Sequence, residues 1–393
     1  MTISGTGCCL YDYLYRDVSL ESPNFRKFLS SLPGDGGLTP GGLVFAESLS
    51  RFAGLPAEEC IAALTQGRKP DKVNLGGPAV VSMIHAAQVL PEEWNIQFYT
   101  CLGDDPESER LMEDLKRFPM ALYTDRAPGC TVPSTVVLSD PSWHDGAGER
   151  SFVNTPGSAL AFSPDMLDEG FFRSDICLWG GSALVPPLHD NLAFLTKKAR
   201  ERGCLNIAGT VYDFRHQAAD PVHAWPLGTH ENPAYPWIDI LITDREEARR
   251  LSLQEDVEDA AEFLLAQGCG ACIITRGKDD VYVKTRSDLF RSVPGKFFPV
   301  SELIVFDLAE NPEKRGDTTG CGDNFMGGVL VSVARQMDAD PAGPVDLEEA
   351  VVEGICAGGL ALYHVGGVYA EKYPGEKQKK IEEIKSSYTG QSA

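Results

Sequence analysis

The sequence predicts an α/β fold: a three-layer α/β/α arrangement around a mostly parallel central sheet. Apolar, β-rich runs at Ile176 to Trp179, Leu205 to Ala208, Ile238 to Thr243 and Ala271 to Thr275 alternate with helical segments, the pattern of strand–helix–strand units. Several runs close on glycine or a carboxylate, as at Gly180-Gly181 and Asp244, and ligands of open parallel sheets gather beyond such strand ends. At 393 residues and 43% hydrophobic content, the chain can bury a large core.

Charge narrows the partners. Asp and Glu total 57 against 35 Lys and Arg, a net charge of -22, which disfavours nonspecific binding to nucleic acid or an anionic membrane. An anionic ligand must then be held by local dipoles and a metal ion. The 11 cysteines show no paired zinc spacing, and a disulfide framework is unusual in a domain of this size. No basic-then-apolar leader opens the chain and no run reaches membrane-spanning length, so a cytoplasmic location is expected.

Taken in order, Cys8 to Tyr11 reads as a short buried strand delivering Asp12 at its end, either to grip ligand hydroxyls or as a turn former. Residues 16–74 mix a Pro/Gly loop at 33–37 with a helical segment from Glu58 to Leu64. Gly76-Gly77 forms a turn where a ligand can approach the backbone, before an apolar helix through Val80, Val81, Ile84 and Val89. Thr135 to Ser139 and Arg150 to Val153 flank a loop, which predicts a hairpin. Asp244 to Glu247 opens a helix with carboxylates that suit its dipole. His216, His223 and His230 are evenly spaced, but no helix or hairpin aligns them as metal ligands. Neither Gly277-Lys278 nor Gly295-Lys296 is followed by Ser or Thr, so no Walker-type loop is present. The charged stretch Glu376 to Lys385 reads as a solvated terminal helix.

The chemistry concentrates at Asp317-Thr318-Thr319-Gly320-Cys321-Gly322-Asp323. Apolar residues at Phe325, Met326, Val329, Leu330, Val331 and Val333 follow it, so Gly320 to Asp323 is the first turn of a buried helix. The first N–H groups of a helix lack internal partners, and glycine admits an anion to them. Asp323 would repel that anion, yet it suits a general base for a hydroxyl. The combination points to phosphoryl transfer; the alternative is a Gly-rich loop that merely caps a helix.

Asp317 to Asp323, followed by Asn-Phe-Met-Gly-Gly, resembles the signature of the ribokinase-like, or PfkB, family of carbohydrate kinases. That signature usually reads DTTGAGD-x-F-x-G-G, and Cys321 stands where alanine is usual. The resemblance implies one ribokinase-like domain over 1–393, with a small β lid or insertion formed mainly by about 13–74 and 130–156. It implies Asp323 as catalytic base, with N–H groups of Gly320, Cys321 and Gly322 as the anion hole. Asp12, Gly76 and Gly77 would hold the acceptor, with Val81 where an asparagine is usual. Phe98 to Asp105 matches a structural strand and turn. Thr275 and Gly277 would lie at the nucleotide phosphates, joined by Arg215 from a motif otherwise kept only at Asp213. Asp244 and Glu247 would organise the waters of Mg²⁺. Asp317, Thr319 and carbonyls near His364 to Gly367 would hold a monovalent cation such as K⁺, and the helix Val351 to Leu362 would border adenine. Residues 307–316 exceed the usual direct connection from the strand matched by Leu303 to Phe306, and place Arg315 where it could neutralise the phosphoryl group.

The function expected on this basis is ATP-dependent phosphorylation of a hydroxyl on a sugar or sugar derivative. A nucleoside kinase of the same family would share every phosphate-site residue, and a noncatalytic sugar or nucleotide sensor is the rival from another class. The partners expected are ATP and a small sugar-like molecule, with a homodimer through the expanded lid.

Overall fold

The computed structural model describes residues 1–32, 34–146 and 148–391. The strands, in chain order, are β1 (Thr2–Gly7), β2 (Leu10–Tyr15), β3 (Leu43–Phe45), β4 (Lys72–Gly76), β5 (Asn95–Leu102), β6 (Ala121–Arg126) and β7 (Ser134–Asp140). They continue with β8 (Glu149–Thr155), β9 (Ile176–Gly180), β10 (Leu205–Gly209), β11 (Ile240–Asp244), β12 (Ala271–Arg276), β13 (Asp279–Thr285) and β14 (Lys296–Phe298). Nine of them form one sheet in the order β14-β13-β12-β11-β10-β9-β1-β5-β6. All its pairings are parallel except β12 with β13 and β13 with β14.

The central strands are buried on both faces, which is why they read as continuous apolar runs. Their side chains still sort by parity. Ile176 and Leu178 join a core with Val80, Ile84 and Val329, whereas Cys177 and Trp179 join a second core with Leu195 and Leu264. Alternate residues of a strand point to opposite faces, so helices cover both sides of the sheet and give three layers.

The smaller sheet runs β3-β8-β7-β2-β4. The expected hairpin is present as the antiparallel pair β7 and β8. The long stretch between β2 and β4 packs on this sheet around its own apolar cluster, including Phe25, Leu49, Cys60, Leu64, Leu138 and Val153. Among the described residues no helix is long and apolar enough to cross a membrane.

Three expectations need correction. Cys8 and Cys9 are the link between sheets, not part of a strand; Asp12 lies within β2 of the smaller sheet, and the central strand is β1, hidden in the small polar residues Thr2–Gly7. Leu303 to Phe306 lies in the helix Glu302–Glu310, where Ile304 is buried and Val305 and Phe306 are exposed. The terminal helix Glu376–Gln391 is not solvated all round. Lys377, Ile381, Ile384 and Tyr388 are buried along one face, the three-to-four-residue spacing of a packed helix.

β1 is the pivot of the large sheet. From it the order runs to β5 and β6 on one side and to β9 on the other, and a crevice opens where the direction changes. There Gly7 pairs with Gly180, so closely that a Cβ on Gly7 would meet the Gly180 carbonyl oxygen at 1.9 Å.

Candidate active site

The helix Cys321–Ala339 starts at this crevice, because Met326 rests on the end of β10: a Cβ on Gly209 would fall 2.2 Å from its sulfur. Gly320 turns the chain into the helix with a left-handed φ of 77°, and a Cβ there would lie 2.2 Å from Gly367 Cα. Only glycine fits both demands. Asp317 Oδ1 shapes the preceding loop by accepting from the N–H groups of Thr319 (3.0 Å) and Gly366 (3.1 Å). Asn324 Nδ2 ties the same turn together, donating to the carbonyls of Gly320 (2.9 Å) and Gly367 (2.7 Å). No side chain caps the helix, and a Cβ on Gly322 would meet nothing within 4 Å. Its first turn is therefore open to an anion, although the Cys321 N–H makes a long 3.4 Å bond to Thr318 O.

Carboxylates surround this turn. Burial pushes Asp323 up to about 6. Asp12 is pushed up to about 7 by burial and then by the charges of Asp323 and Asp317, with Arg150 opposing. Gly76 makes room for it, since a Cβ there would meet Asp12 Oδ2 at 2.0 Å. Glu247, buried at the start of the helix Arg245–Ser252, is pushed up to about 8 by burial, then by Asp244, and further by Asp323. Asp244 and Glu247 form a reciprocal capping box, and Glu247 Oε2 also accepts from Thr210 Oγ1 at 2.5 Å. Thr275 is the register partner of Asp244, which sets it at the same end of the sheet. Gly277 follows in the β12–β13 turn with φ 64° and open space around it.

Such mutual repulsion among desolvated acids is relieved by a cation. The hydrogen bonds of Glu247 run to Oε2, leaving Oε1 for a metal-bound water, so an oxygen-seeking ion such as Mg²⁺ fits this donor set. Cys321, pushed up to about 12 by burial and by Asp317 and Asp323, is a neutral thiol in this turn.

Two cationic groups reach the loop from the smaller sheet, and sequence reasoning missed both. Arg150, on β8, donates from Nη1 to Thr319 Oγ1 (3.0 Å) and from Nη2 to Thr318 Oγ1 (2.9 Å). Lys72, on β4, donates to the Val365 carbonyl, one of the oxygens expected to face a monovalent cation. Nothing in the spacing of residues 72, 150 and 318 links them; only the folding of one sheet over the other does.

A family model for pfkB family carbohydrate kinases matches residues 66–369. The chain belongs to this family. A cytidine kinase from Thermococcus kodakarensis is 33% identical over 113 residues, covering 29% of this chain and 36% of that protein. The chain thus matches about a third of that curated relative's length. Adenosine kinase from Anopheles gambiae, solved with P1,P4-di(adenosine-5) tetraphosphate, superposes with a TM-score of 0.67 at 18% identity, over 94% of this chain and 98% of that one. Ribokinase from Thermotoga maritima gives 0.63 at 18% identity, over 98% of each chain. The fold is ribokinase-like and the protein is a kinase of the pfkB family.

Within this kinase, some expected site residues stand elsewhere. Val81 is buried at 1% exposure, and a Cβ on Gly367 would meet it at 2.9 Å, so it packs beneath the loop instead of lining a pocket. From the same helix, Pro78–Val89, Ser82 Oγ does touch the site, donating to the Asp323 carbonyl at 2.7 Å. Arg215 is held by Asp190 at 2.5 and 3.0 Å, an ion pair that occupies its guanidinium. Arg315 is exposed, and its neighbour Lys314 pairs with Asp307 at 2.7 Å; the guanidinium bonded to the motif is that of Arg150. Gly77, with φ 106°, sits against the Cys8 carbonyl at the crevice.

Proposed function

We propose that the protein transfers the γ-phosphate of ATP to a hydroxyl of a sugar or sugar derivative, with Asp323 as general base. The observation that carries this reading is the pairing of an uncapped, glycine-opened helix start with a desolvated carboxylate in its first turn. An anion-binding site has no use for that carboxylate, whereas a kinase needs a proton acceptor beside its phosphate cradle.

In this reading the acceptor lies between the two sheets, with Asp12 accepting from one of its hydroxyls and the Gly76-Gly77 turn against it. Asp323 takes the proton of the attacking hydroxyl as its oxygen bonds to the γ-phosphorus and the bond from that phosphorus to the β–γ bridging oxygen breaks, releasing ADP. The N–H groups around Cys321 to Asp323 stabilise charge on the transferring group, and Arg150, swung from its threonine hydroxyls, adds a mobile positive charge. Thr275 and Gly277 are assigned to the nucleotide phosphates. Asp244 and Glu247 would hold Mg²⁺ through water, and that ion, when bound, neutralises the phosphates. The smaller sheet, covering the crevice, would keep water from competing as acceptor.

A nucleoside acceptor is the second reading, favoured by the 33% identity to a cytidine kinase. ADP release measured across sugars, sugar acids and nucleosides, with Asp323→Asn as the blank, separates them. Stimulation by one acceptor, absent in the variant, is the expected result. Equal turnover in the variant would remove Asp323 from its role.

A further inference from the structure

A second cluster of potential ligands lies behind the Glu247 pocket, on residues the phosphoryl-transfer reading does not use. We propose that His189, Asp213 and His216 form a binding site for a divalent transition-metal ion of the zinc class. One ligand atom from each lies within 4.8 Å of the others. His189 Nε2 stands 3.7 Å from Asp213 Oδ2, and His216 Nδ1 stands 2.6 Å from the same oxygen. His189 and Asp213 are each only 3% exposed, and His216 closes the cluster from the side nearer solvent.

Three features favour an ion over a hydrogen-bonded trio. The first is charge. Asp213 is a buried carboxylate whose ion-pair contacts are the two imidazoles; among the described residues no lysine or arginine is in ion-pair contact with it, and Arg215, bonded to Asp190, acts on it only through space. A buried carboxylate with no lysine or arginine in contact is a favourable ligand for a cation. The second is orientation. His189 Nδ1 is bonded to Ser182 Oγ at 2.9 Å, the kind of outer partner that metal-binding imidazoles commonly have, and Asp213 is fixed in place by its N-cap bond from the His216 backbone N–H at 2.9 Å. The third is spacing. With zinc–nitrogen bonds of about 2.0–2.1 Å, two imidazoles on one ion hold their ring centres roughly 5–6 Å apart. The His189 and His216 rings are 5.8 Å apart.

The ion would displace the contacts His189 Nε2 now makes at 3.2 Å with the Gly228 N–H and the Pro226 carbonyl. Two nitrogens and one oxygen suit zinc, cobalt or nickel, whereas Mg²⁺ takes oxygen ligands, so this site and the Glu247 site select different ions. A small cavity lined by His189, Asp213, Thr210 and Glu247 joins the two. The ion would fasten the segment after β10 to the loop after β9, which stabilises the floor beneath Glu247.

Tag-free protein stripped with a chelator and titrated with Co²⁺ tests this. The expected result is a visible d–d absorption saturating at about one equivalent, bleached by Zn²⁺, with Zn²⁺ also raising the melting temperature. His216→Ala, at a partly exposed position that should fold, loses both signals, as does His189→Gln. An absent absorption, or one equally strong in His216→Ala, overturns the proposal. The readout is independent of kinase turnover, so failure of either reading leaves the other standing.

Discussion

As the proposed base, Asp323 would set the pH behaviour of the kinase. A base must be ionised to accept a proton, so with its carboxyl pushed up to about 6 the acid limb of kcat should fall near pH 6, about two units above an ordinary aspartate. The same shift costs stability. The folded state holds this proton more tightly than the unfolded chain, so stability falls as pH rises from about 4 to 6 and the cost is complete above 6. Asp323→Asn should therefore bind nucleotide, lose kcat by about 10²–10⁴-fold, and melt higher than the parent at pH 7 by roughly 2–3 kcal/mol of stability, a gap that closes below about pH 4. Steady-state kinetics and calorimetry from pH 4 to 8 check both halves. Arg150→Met is expected to lower kcat by about 10²-fold with little change in melting temperature, because its hydroxyl partners Thr318 and Thr319 can turn to water. An unchanged kcat would return Arg150 to a structural tie between sheets.

At the scale of elements, the terminal helix supports the helix Cys321–Ala339. Lys377 is 1% exposed and bonds to Gln88 Oε1 (3.1 Å) and Asn324 Oδ1 (3.0 Å). Asn324 in turn holds Gly320 and Gly367 through its amide nitrogen, so the buried Lys377 amine fixes the amide that fixes the Gly320 turn. Burial pushes Lys377 down to about 7, with Glu371 opposing. His85 and His364 share this surrounding, and burial keeps both neutral at pH 7. Below pH 7 the charged amine carries its full burial cost, which is relieved as pH rises toward 10.5. Lys377→Met should flatten the rise of parent stability between pH 7 and 10 by on the order of 1–3 kcal/mol. It should also lower kcat more than the acceptor KM, because the turn loosens. Parallel stability–pH slopes in the two proteins would refute the buried-charge account.

Over the whole molecule, five carboxylates, Asp12, Asp244, Glu247, Asp317 and Asp323, interact around one crevice of a chain whose net charge is -22. ATP adds more negative charge, and the two cations from the smaller sheet do not balance it. Replacing Mg²⁺ with EDTA should weaken ATP binding by at least about tenfold, as measured by calorimetry, with recovery on adding Mg²⁺. Metal-independent binding would mean that helix dipole and Arg150 suffice. The two sheets also divide the labour. The large one delivers Glu247 and Thr275 at the ends of β11 and β12 and seats the Cys321–Ala339 helix against the end of β10, and the smaller one delivers Asp12, Lys72 and Arg150 from β2, β4 and β8.

Features carried by contiguous residues were legible in the sequence. The strands β9 to β12 are local apolar runs, and the Gly320–Asp323 turn is a local glycine pattern before an apolar helix, so neighbours in the chain suffice to specify them. β1 escaped because its glycines, serine and threonines are buried only once it is flanked by β5 and β9. Val81 looked like a ligand contact from its position after Gly77, and its burial against Gly367 depends on a segment almost three hundred residues away. Arg150 with Thr318, Lys377 with Asn324, and His189 with Asp213 are likewise pairings across the chain. Sequence alone determined the α/β class and the glycine turn that opens the Cys321–Ala339 helix, because backbone geometry and hydrophobic period are local. The tertiary structure decided which charges meet, because electrostatic partnership depends on distance in space and on the water excluded between elements.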